Sequence, residues 1–325
     1  MDTPVLGVHD TYDGPDRWQV STTWRYQRSD LHFVGSDEQE ERTEEGSEVI
    51  NTIHLMEVAI RYNASPKWSF TLGIPYLLAE RSSPIRDANR VVIDRSLTQA
   101  RGVGDLTLTA RRLLLEPDNP KGFNISFGGG IKLPTGENNV VDTRRRQVNG
   151  QIVNAVETVD QSIQPGDGGF GVALDLQGAK RLGGNFVGYL SMAYLINPEN
   201  TNGVPTFRTQ RGEEIMSVAD QYLARLGATY SPASKPGLTF GLGGRLEGVP
   251  VEDLIGDSDG FRRPGYAVSA EPSVSYSKGP HGFSLAVPWA LYRNRTRSVP
   301  DRANNRHGDA AFADYIISVG YSRRF

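Results

Sequence analysis

Apolar and polar residues alternate along most of this chain with a period of two. In residues 17–26, for example, Trp18, Val20, Trp24 and Tyr26 are separated by polar side chains. Successive side chains of a β-strand point to opposite faces, so this alternation predicts a strand with one apolar and one polar face. Runs of the same kind recur up to the last residue, which predicts an all-β protein built from consecutive hairpins.

The alternation predicts about twelve strands. They lie near residues 17–34, 49–64, 67–80, 103–115, 122–133, 168–182, 185–196, 218–231, 237–249, 264–278, 282–293 and 312–325. The short turns are predicted at Ser65-Pro66, Glu116 to Lys121, Gly183-Gly184, Pro232 to Pro236 and Gly279-Pro280. Longer polar loops are predicted near residues 35–48, 81–102, 134–167, 197–217, 250–263 and 294–311.

This alternation of short and long connections is typical of outer-membrane barrels, which have short periplasmic turns and long extracellular loops. A soluble β-sandwich has no reason to place a long loop at every second connection. The sequence therefore predicts a transmembrane antiparallel up-and-down β-barrel formed as a single domain by residues 1–325. An even number of strands places both termini in the periplasm.

The composition is compatible with a barrel that crosses a membrane. Hydrophobic residues make up 38% of the 325 residues, and no apolar run approaches the ~18 residues of a membrane-spanning helix. Lipid cannot hydrogen-bond the open edges of a sheet, so a closed barrel is the remaining way across. A polar interior also explains the low mean hydropathy of −0.43. We expect a location in the bacterial outer membrane, in contact with lipid and lipopolysaccharide.

Several classes of chemistry are excluded by residue content. The chain has no cysteine, so it has no disulfide framework, thiolate metal site or c-type haem attachment site. Its net charge is −3 and its 35 basic residues are dispersed, which argues against a nucleic acid partner. We predict no cofactor and no metal site.

The last strand ends on an aromatic residue. Its apolar positions are Tyr315, Ile317, Val319, Tyr321 and Phe325. In this respect the chain resembles bacterial outer-membrane barrels, whose final strand typically ends in Phe and is read by the assembly machinery.

Three further segments carry a finer resemblance: LGIPYLLAERSS at Leu72 to Ser83, GVGDLTLTARRLLL at Gly102 to Leu115, and IKLPTGE at Ile131 to Glu137. They are similar to the MetA-like outer-membrane family named after the phenol-degradation meta pathway. The resemblance implies a barrel and the uptake of small organic compounds. It implies no particular functional residues.

The polar positions of the strands carry charges in a consistent phase. If the apolar positions face lipid, these side chains face the lumen: Arg25, Glu57, Arg61, Asp105, Arg111, Lys132, Asp175, Arg181, Arg225, Arg245, Glu247 and Glu271. Charges on membrane strands need water or an opposite charge beside them. The sequence leaves two interpretations open, because the charges could pair and plug a narrow barrel or could line a mixed-charge channel that slightly favours anions.

The loops and strand breakers suggest further features. The acidic stretch Asp37 to Glu45 could bind divalent cations or lipopolysaccharide, or it could simply be solvated. The long loop Thr135 to Gln164 could fold inward as a constriction or lie outside. Pro75 and Pro288 are expected to mark bulges or strand segments near the barrel rim.

No enzymatic motif stands out. A barrel phospholipase would need a serine nucleophile beside a histidine, and none of the five histidines is followed by serine two positions later. We therefore predict a passive outer-membrane channel or transporter, porin-like, for small solutes such as aromatic or anionic organic compounds. The alternative is a plugged structural barrel that presents its loops to a partner protein.

Overall fold

The computed structural model describes residues 16–115 and 122–325, so the predicted turn Glu116 to Lys121 lies outside the described residues. The strands of the first half are β1 (Trp18–Val34), β2 (Asp37–Glu38), β3 (Ile50–Asn63), β4 (Trp68–Arg86), β5 (Val92–Val103), β6 (Leu106–Leu113), β7 (Phe123–Leu133), β8 (Val141–Val148) and β9 (Gln151–Thr158). Those of the second half are β10 (Gly171–Gly183), β11 (Phe186–Ile196), β12 (Thr201–Pro205), β13 (Ile215–Ser217), β14 (Gln221–Tyr230), β15 (Leu238–Val249), β16 (Gly265–Lys278), β17 (His281–Ala286), β18 (Trp289–Arg295) and β19 (Ala310–Arg324). Two short helices, α1 (Glu41–Glu44) and α2 (Val299–Ala303), and the 3-10 turn Gln161–Ile163 lie in loops.

The sheet closes on itself into a barrel. Each long strand pairs antiparallel with its neighbours, and β19 pairs with β1 from Gln19↔Arg324 to Phe33↔Ala310. Two wall strands are interrupted: β5 and β6 pair in turn with β4, and β17 and β18 pair in turn with β16. With each interrupted pair counted once, the described residues form a barrel of twelve strands. This confirms the predicted fold class and strand number.

Observed strand ends follow the alternation closely, with differences at the loop side. Most of the predicted loop 81–102 is strand instead, because β4 continues to Arg86, β5 begins at Val92, and only residues 87–91 connect them. Beyond the lipid both faces of a hairpin can be polar, so the apolar alternation that marked the strands stops before the strands do. Hairpins also form within the predicted loops 134–167 and 197–217.

Pro75 and Pro288 both lie where a strand of the barrel wall is interrupted. Pro288 lies between β17 and β18. Pro75 accepts a hydrogen bond from Gly104 N at 2.8 Å, at the point where the neighbouring wall strand is interrupted. Both positions suit proline, because neither asks for a backbone N–H in an unbroken ladder.

The outer face of the barrel is apolar and is bounded by aromatic side chains. At the turn side, Phe186 and Tyr230 lie 4.9 Å apart, and at the loop side Tyr194 and Tyr222 lie 6.4 Å apart. On each of the two paired strands, β11 and β14, the two aromatic positions are eight residues apart. Eight residues span about 26 Å along a strand, or about 20 Å along the axis of a tilted barrel.

Helices contribute little to this fold. In the described ranges, no helix is long and apolar enough to cross a membrane. A small apolar cluster lies near the loop side and consists of Leu77, Ala79, Ala100, Val159 and Ile163. The last two residues come from the long loop after β7, so the cluster joins that loop to the barrel wall.

Candidate functional site

A cavity of about 790 Å³ occupies the inside of the barrel. We call it the lumen cavity. Its lining begins near the short turns, at residues such as Lys67 and Ser277, and ends near the long loops, at Gln161 and Asp167. Most of its lining side chains come from the polar positions of the strands, as the alternation requires.

One side of the lumen cavity carries the charges, and we call it the ionic wall. Six of the predicted lumen residues line the cavity there: Glu57, Arg61, Asp105, Arg111, Lys132 and Asp175. Arg111 donates to Asp175 Oδ1 from Nε at 3.0 Å and from Nη2 at 2.9 Å. Glu57 and Arg61 each have an interaction partner as well.

The opposite side is formed by β15, β16, β17, β19 and β1, and we call it the hydroxyl wall. The cavity lining from these five strands includes no charged side chain among the described residues. Serine and threonine predominate: Ser21, Thr23, Thr239, Ser275, Ser277, Ser284 and Ser322. Several face one another directly, since Ser275 pairs with both Thr239 and Ser284 in register, and Ser21 pairs with Ser322.

Four predicted lumen residues form a separate ion cluster on β14, β15 and β16. Arg245 contacts Glu247 at 2.6 Å and Glu271 at 3.2 Å, and Arg225 lies 3.4 Å from Glu271. Arg225, Arg245 and Glu271 are at most 4% exposed, and none of the four lines the lumen cavity. These paired charges are therefore enclosed away from the lumen cavity.

The remaining two predicted residues lie apart from the lumen cavity. Arg25 is half-buried on β1 and has an interaction partner. Arg181 is exposed at the turn end of β10, where its backbone N donates to Gly122 O at 2.7 Å. Strand phase alone did not reveal that Arg181 stands beyond the enclosed part of the barrel.

The end of the long loop after β7, for which the sequence left an inward and an outward position open, limits the lumen cavity on the loop side. Residues 159–167, the inner segment, fold into the barrel mouth, where Gln161 and Pro165 line the cavity. Ile163 is fully buried and Val159 is 2% exposed, so apolar burial against β3, β4 and β5 holds the segment. The part of the loop with Arg144 to Arg146 behaves differently, because it forms the β8–β9 hairpin and Arg145 N donates to Ser96 Oγ on β5.

An ion cluster clamps the amino-terminal end of the inner segment. Asp160 accepts two hydrogen bonds from Arg263, at 2.8 and 2.7 Å, and lies 3.4 Å from Arg81. Asp160 Oδ1 also accepts from Ser162 N at 3.1 Å and caps the 3-10 turn. Burial opposes ionisation of this carboxyl, but Arg263 and Arg81 outweigh it and hold the pKa of Asp160 well below its usual value.

The other end of the inner segment is fixed at a junction of three glycines and three charges. A Cβ on Gly136 would lie 2.8 Å from Gly166 Cα and 2.9 Å from Gly104 Cα, so only glycine permits this approach. Lys132 forms an ion pair with Asp167 and lies 3.6 Å from Asp105. Asp105 accepts hydrogen bonds from Gly136 N at 2.9 Å and from Asp167 N at 3.2 Å.

Further ion pairs lie within and between the loops around the mouth. Arg262 donates to both oxygens of Asp253, at 2.7 and 2.6 Å, and Arg295 contacts Asp301 at 3.0 Å. Part of the acidic stretch Asp37 to Glu45 forms α1, whose Arg42 pairs with Asp309. No group of three acidic, histidine or cysteine side chains suited to a metal ion occurs within residues 16–115 and 122–325.

Comparison with solved structures identifies the class of fold. An outer membrane channel from Pseudomonas putida F1 matches 98% of this chain and 100% of that chain, with a TM-score of 0.61 and 14% identity. The β domain of a Bordetella autotransporter matches 95% of this chain and 100% of that chain, with a TM-score of 0.51 and 12% identity. No family model matches the sequence, and no curated protein matches it. The fold is that of an outer-membrane β-barrel.

Proposed function

We propose that this protein is a passive channel of the bacterial outer membrane for small solutes. The observation that carries this proposal is the lumen cavity of about 790 Å³, which follows the inside of a closed barrel from the turn side to the inner segment. Its walls are polar and alternate with an apolar outer face, as in barrels that enclose water. A polar lumen lets a hydrophilic solute cross without entering hydrocarbon.

The outer face supports insertion into lipid. Leu226 is 67% exposed and Leu242 is 64% exposed, on neighbouring strands between the two aromatic levels. In water such a continuous apolar belt would be costly, whereas lipid matches it. We propose contact with lipid and lipopolysaccharide here, with the long loops outside the cell and both termini in the periplasm.

Membership of the phenol-degradation meta-pathway family is also a proposal. The segments that resemble this family meet at one place in the fold, because Pro75, Gly104, Asp105 and Gly136 surround the end of the inner segment. Residues far apart in sequence thus build one junction at the barrel mouth. The resemblance is consistent with uptake of small organic compounds.

A specific observation favours the alternative, a plugged barrel that presents its loops to a partner protein. The ion cluster of Arg225, Arg245, Glu247 and Glu271 occupies part of the interior, and the inner segment folds into the mouth. A barrel closed by these groups would carry no solute. Its loops would then be the functional surface.

Reconstitution separates the two functions. Refolded protein in planar bilayers is expected to give discrete current steps in KCl, and Arg61→Ala is expected to change their size because Arg61 lines the lumen cavity. Arg146→Ala is the matched control, since Arg146 is 55% exposed on the outer hairpin β8–β9. A folded barrel with neither current nor solute uptake would overturn the channel and favour the partner-binding barrel.

A further inference from the structure

The two walls of the lumen cavity differ in chemistry. The ionic wall carries charged side chains from β3, β6, β7 and β10, whereas the hydroxyl wall is lined by serine and threonine. Between the strands a solute therefore meets charged side chains on one side and hydroxyl groups on the other, and Arg262 and Arg263 add charge from the loop before β16. Whether those charges are paired with opposite charges decides how strongly the lumen attracts ions.

No charged side chain that lines the lumen cavity is isolated. Ten such side chains occur among the described residues: Glu57, Arg61, Lys67, Asp105, Arg111, Lys132, Asp167, Asp175, Arg262 and Arg263. Each has an interaction partner, in most cases an opposite charge within 4 Å. Paired charges satisfy one another and offer little net attraction to a passing ion.

The hydroxyl wall can form hydrogen bonds with an uncharged polar solute. A hydroxyl group both donates and accepts hydrogen bonds and can rotate to suit its partner. The row Thr239, Ser275 and Ser284 places three hydroxyl residues side by side on adjacent strands. Next to it, Gly282 and Gly320 make room for neighbouring hydroxyls, since a Cβ at Gly282 would lie 2.7 Å from Ser322 Oγ and one at Gly320 would lie 2.5 Å from Ser284 Oγ.

From these two observations we infer that the lumen favours uncharged solutes bearing several hydroxyl groups over ions of similar size. This inference rests on the proposed channel function. An ion that enters loses part of its hydration and finds the lining charges already engaged by partners, which is costly. A hydroxylated neutral solute exchanges its hydrogen bonds with water for hydrogen bonds with the hydroxyl wall.

Uptake of glucose and glucuronate into proteoliposomes tests the inference. The two probes share a ring and differ by one carboxylate. Glucose is expected to enter at least about threefold faster, because only glucuronate must bring a charge into the lumen. The reversal potential in a KCl gradient is expected to lie near zero, since the lining charges are paired.

Variants of the hydroxyl wall test whether it is responsible. Thr239→Val combined with Ser275→Ala and Ser284→Ala is expected to bring the glucose to glucuronate ratio towards one by slowing glucose. Ser284→Ala alone, with a smaller effect in the same direction, serves if the triple variant does not fold. Thr43→Val is the matched control, because Thr43 is exposed on α1 outside the lumen cavity.

The outcomes are distinguishable. KCl current with glucuronate entering as fast as glucose, or a triple variant with an unchanged ratio, would overturn the inference and leave the channel intact. No current and no entry of either sugar would overturn the channel itself, and the inference with it. Faster glucose entry that depends on the three hydroxyl residues would establish the inference.

Discussion

At the scale of single residues, the charges inside this barrel act as pairs. Arg111 and Asp175 are 64 residues apart in sequence, and the barrel brings Arg111 Nε within 3.0 Å of Asp175 Oδ1. Gly128 makes the contact possible, since a Cβ there would lie 1.9 Å from Asp175 Oδ2. Strand phase predicted that these side chains point inward, but sequence spacing could not say which pairs would form.

Removing one member of this pair should change ion selectivity. Asp175→Asn leaves the Arg111 charge uncompensated on the ionic wall, so the reversal potential in a KCl gradient should move towards that of chloride. Asp142→Asn is the control, because Asp142 lies on β8, away from the cavity lining. A cation-selective or unchanged potential in the Asp175 variant would contradict the assignment of Arg111 to the conducting path.

The Asp160 clamp should resist mild acid. Because the pKa of Asp160 is lowered on folding, its stabilisation is present above the unfolded pKa and is lost only as the pH falls through the lower folded value. Channel conductance should therefore stay constant from about pH 8 to pH 5, above the usual carboxyl pKa of about 4. Asp160→Asn should give larger or noisier currents throughout this range, since Arg81 and Arg263 lose their common partner. A steep change near pH 6 in the wild type would contradict this account.

At the scale of elements, the strands were predictable, whereas for the inner segment the sequence left an inward and an outward position open. Strand alternation is a local pattern, and it gave the twelve wall strands with most ends within a few residues. The inner segment has only two buried apolar anchors, Val159 and Ile163, ahead of the sequence Pro165 to Gly169 that is typical of an exposed loop. Its partners Arg81 and Arg263 lie on distant elements, so no local pattern revealed the fold of this loop.

The glycine junction gives a direct test of how the inner segment is held. Gly136→Ala would force its Cβ against the backbone of Gly104 and Gly166, and overpacking of this kind typically costs about 1–3 kcal/mol. We expect a lower unfolding midpoint in denaturant and altered current steps. Gly129→Ala is the control, because a Cβ there meets no atom within 4 Å. Equal effects of the two substitutions would contradict the tight junction.

At the scale of the whole molecule, the apolar belt contacts lipid, whereas the polar loops contact water. Leu242 is 64% exposed on β15 between the aromatic levels, and Leu254 is 66% exposed in the loop after β15. Leu242→Arg should lower the stability of the barrel in lipid vesicles by about 2–4 kcal/mol, whereas Leu254→Arg should have little effect. In a soluble protein the two substitutions would be equivalent, so equal unfolding free energies would contradict membrane insertion.

The most direct test of the central claim asks whether current passes through the lumen cavity. The chain has no cysteine, so a single engineered thiol can be modified selectively. Ser275→Cys places the thiol on the hydroxyl wall, and Val274→Cys places it one residue away on the lipid-facing side of the same strand. A bulky, charged thiol reagent added during planar-bilayer recording should reduce the current of the Ser275 variant and leave that of the Val274 variant unchanged. Equal currents before and after modification of both variants, or no current from either folded barrel, would contradict a channel through this lumen.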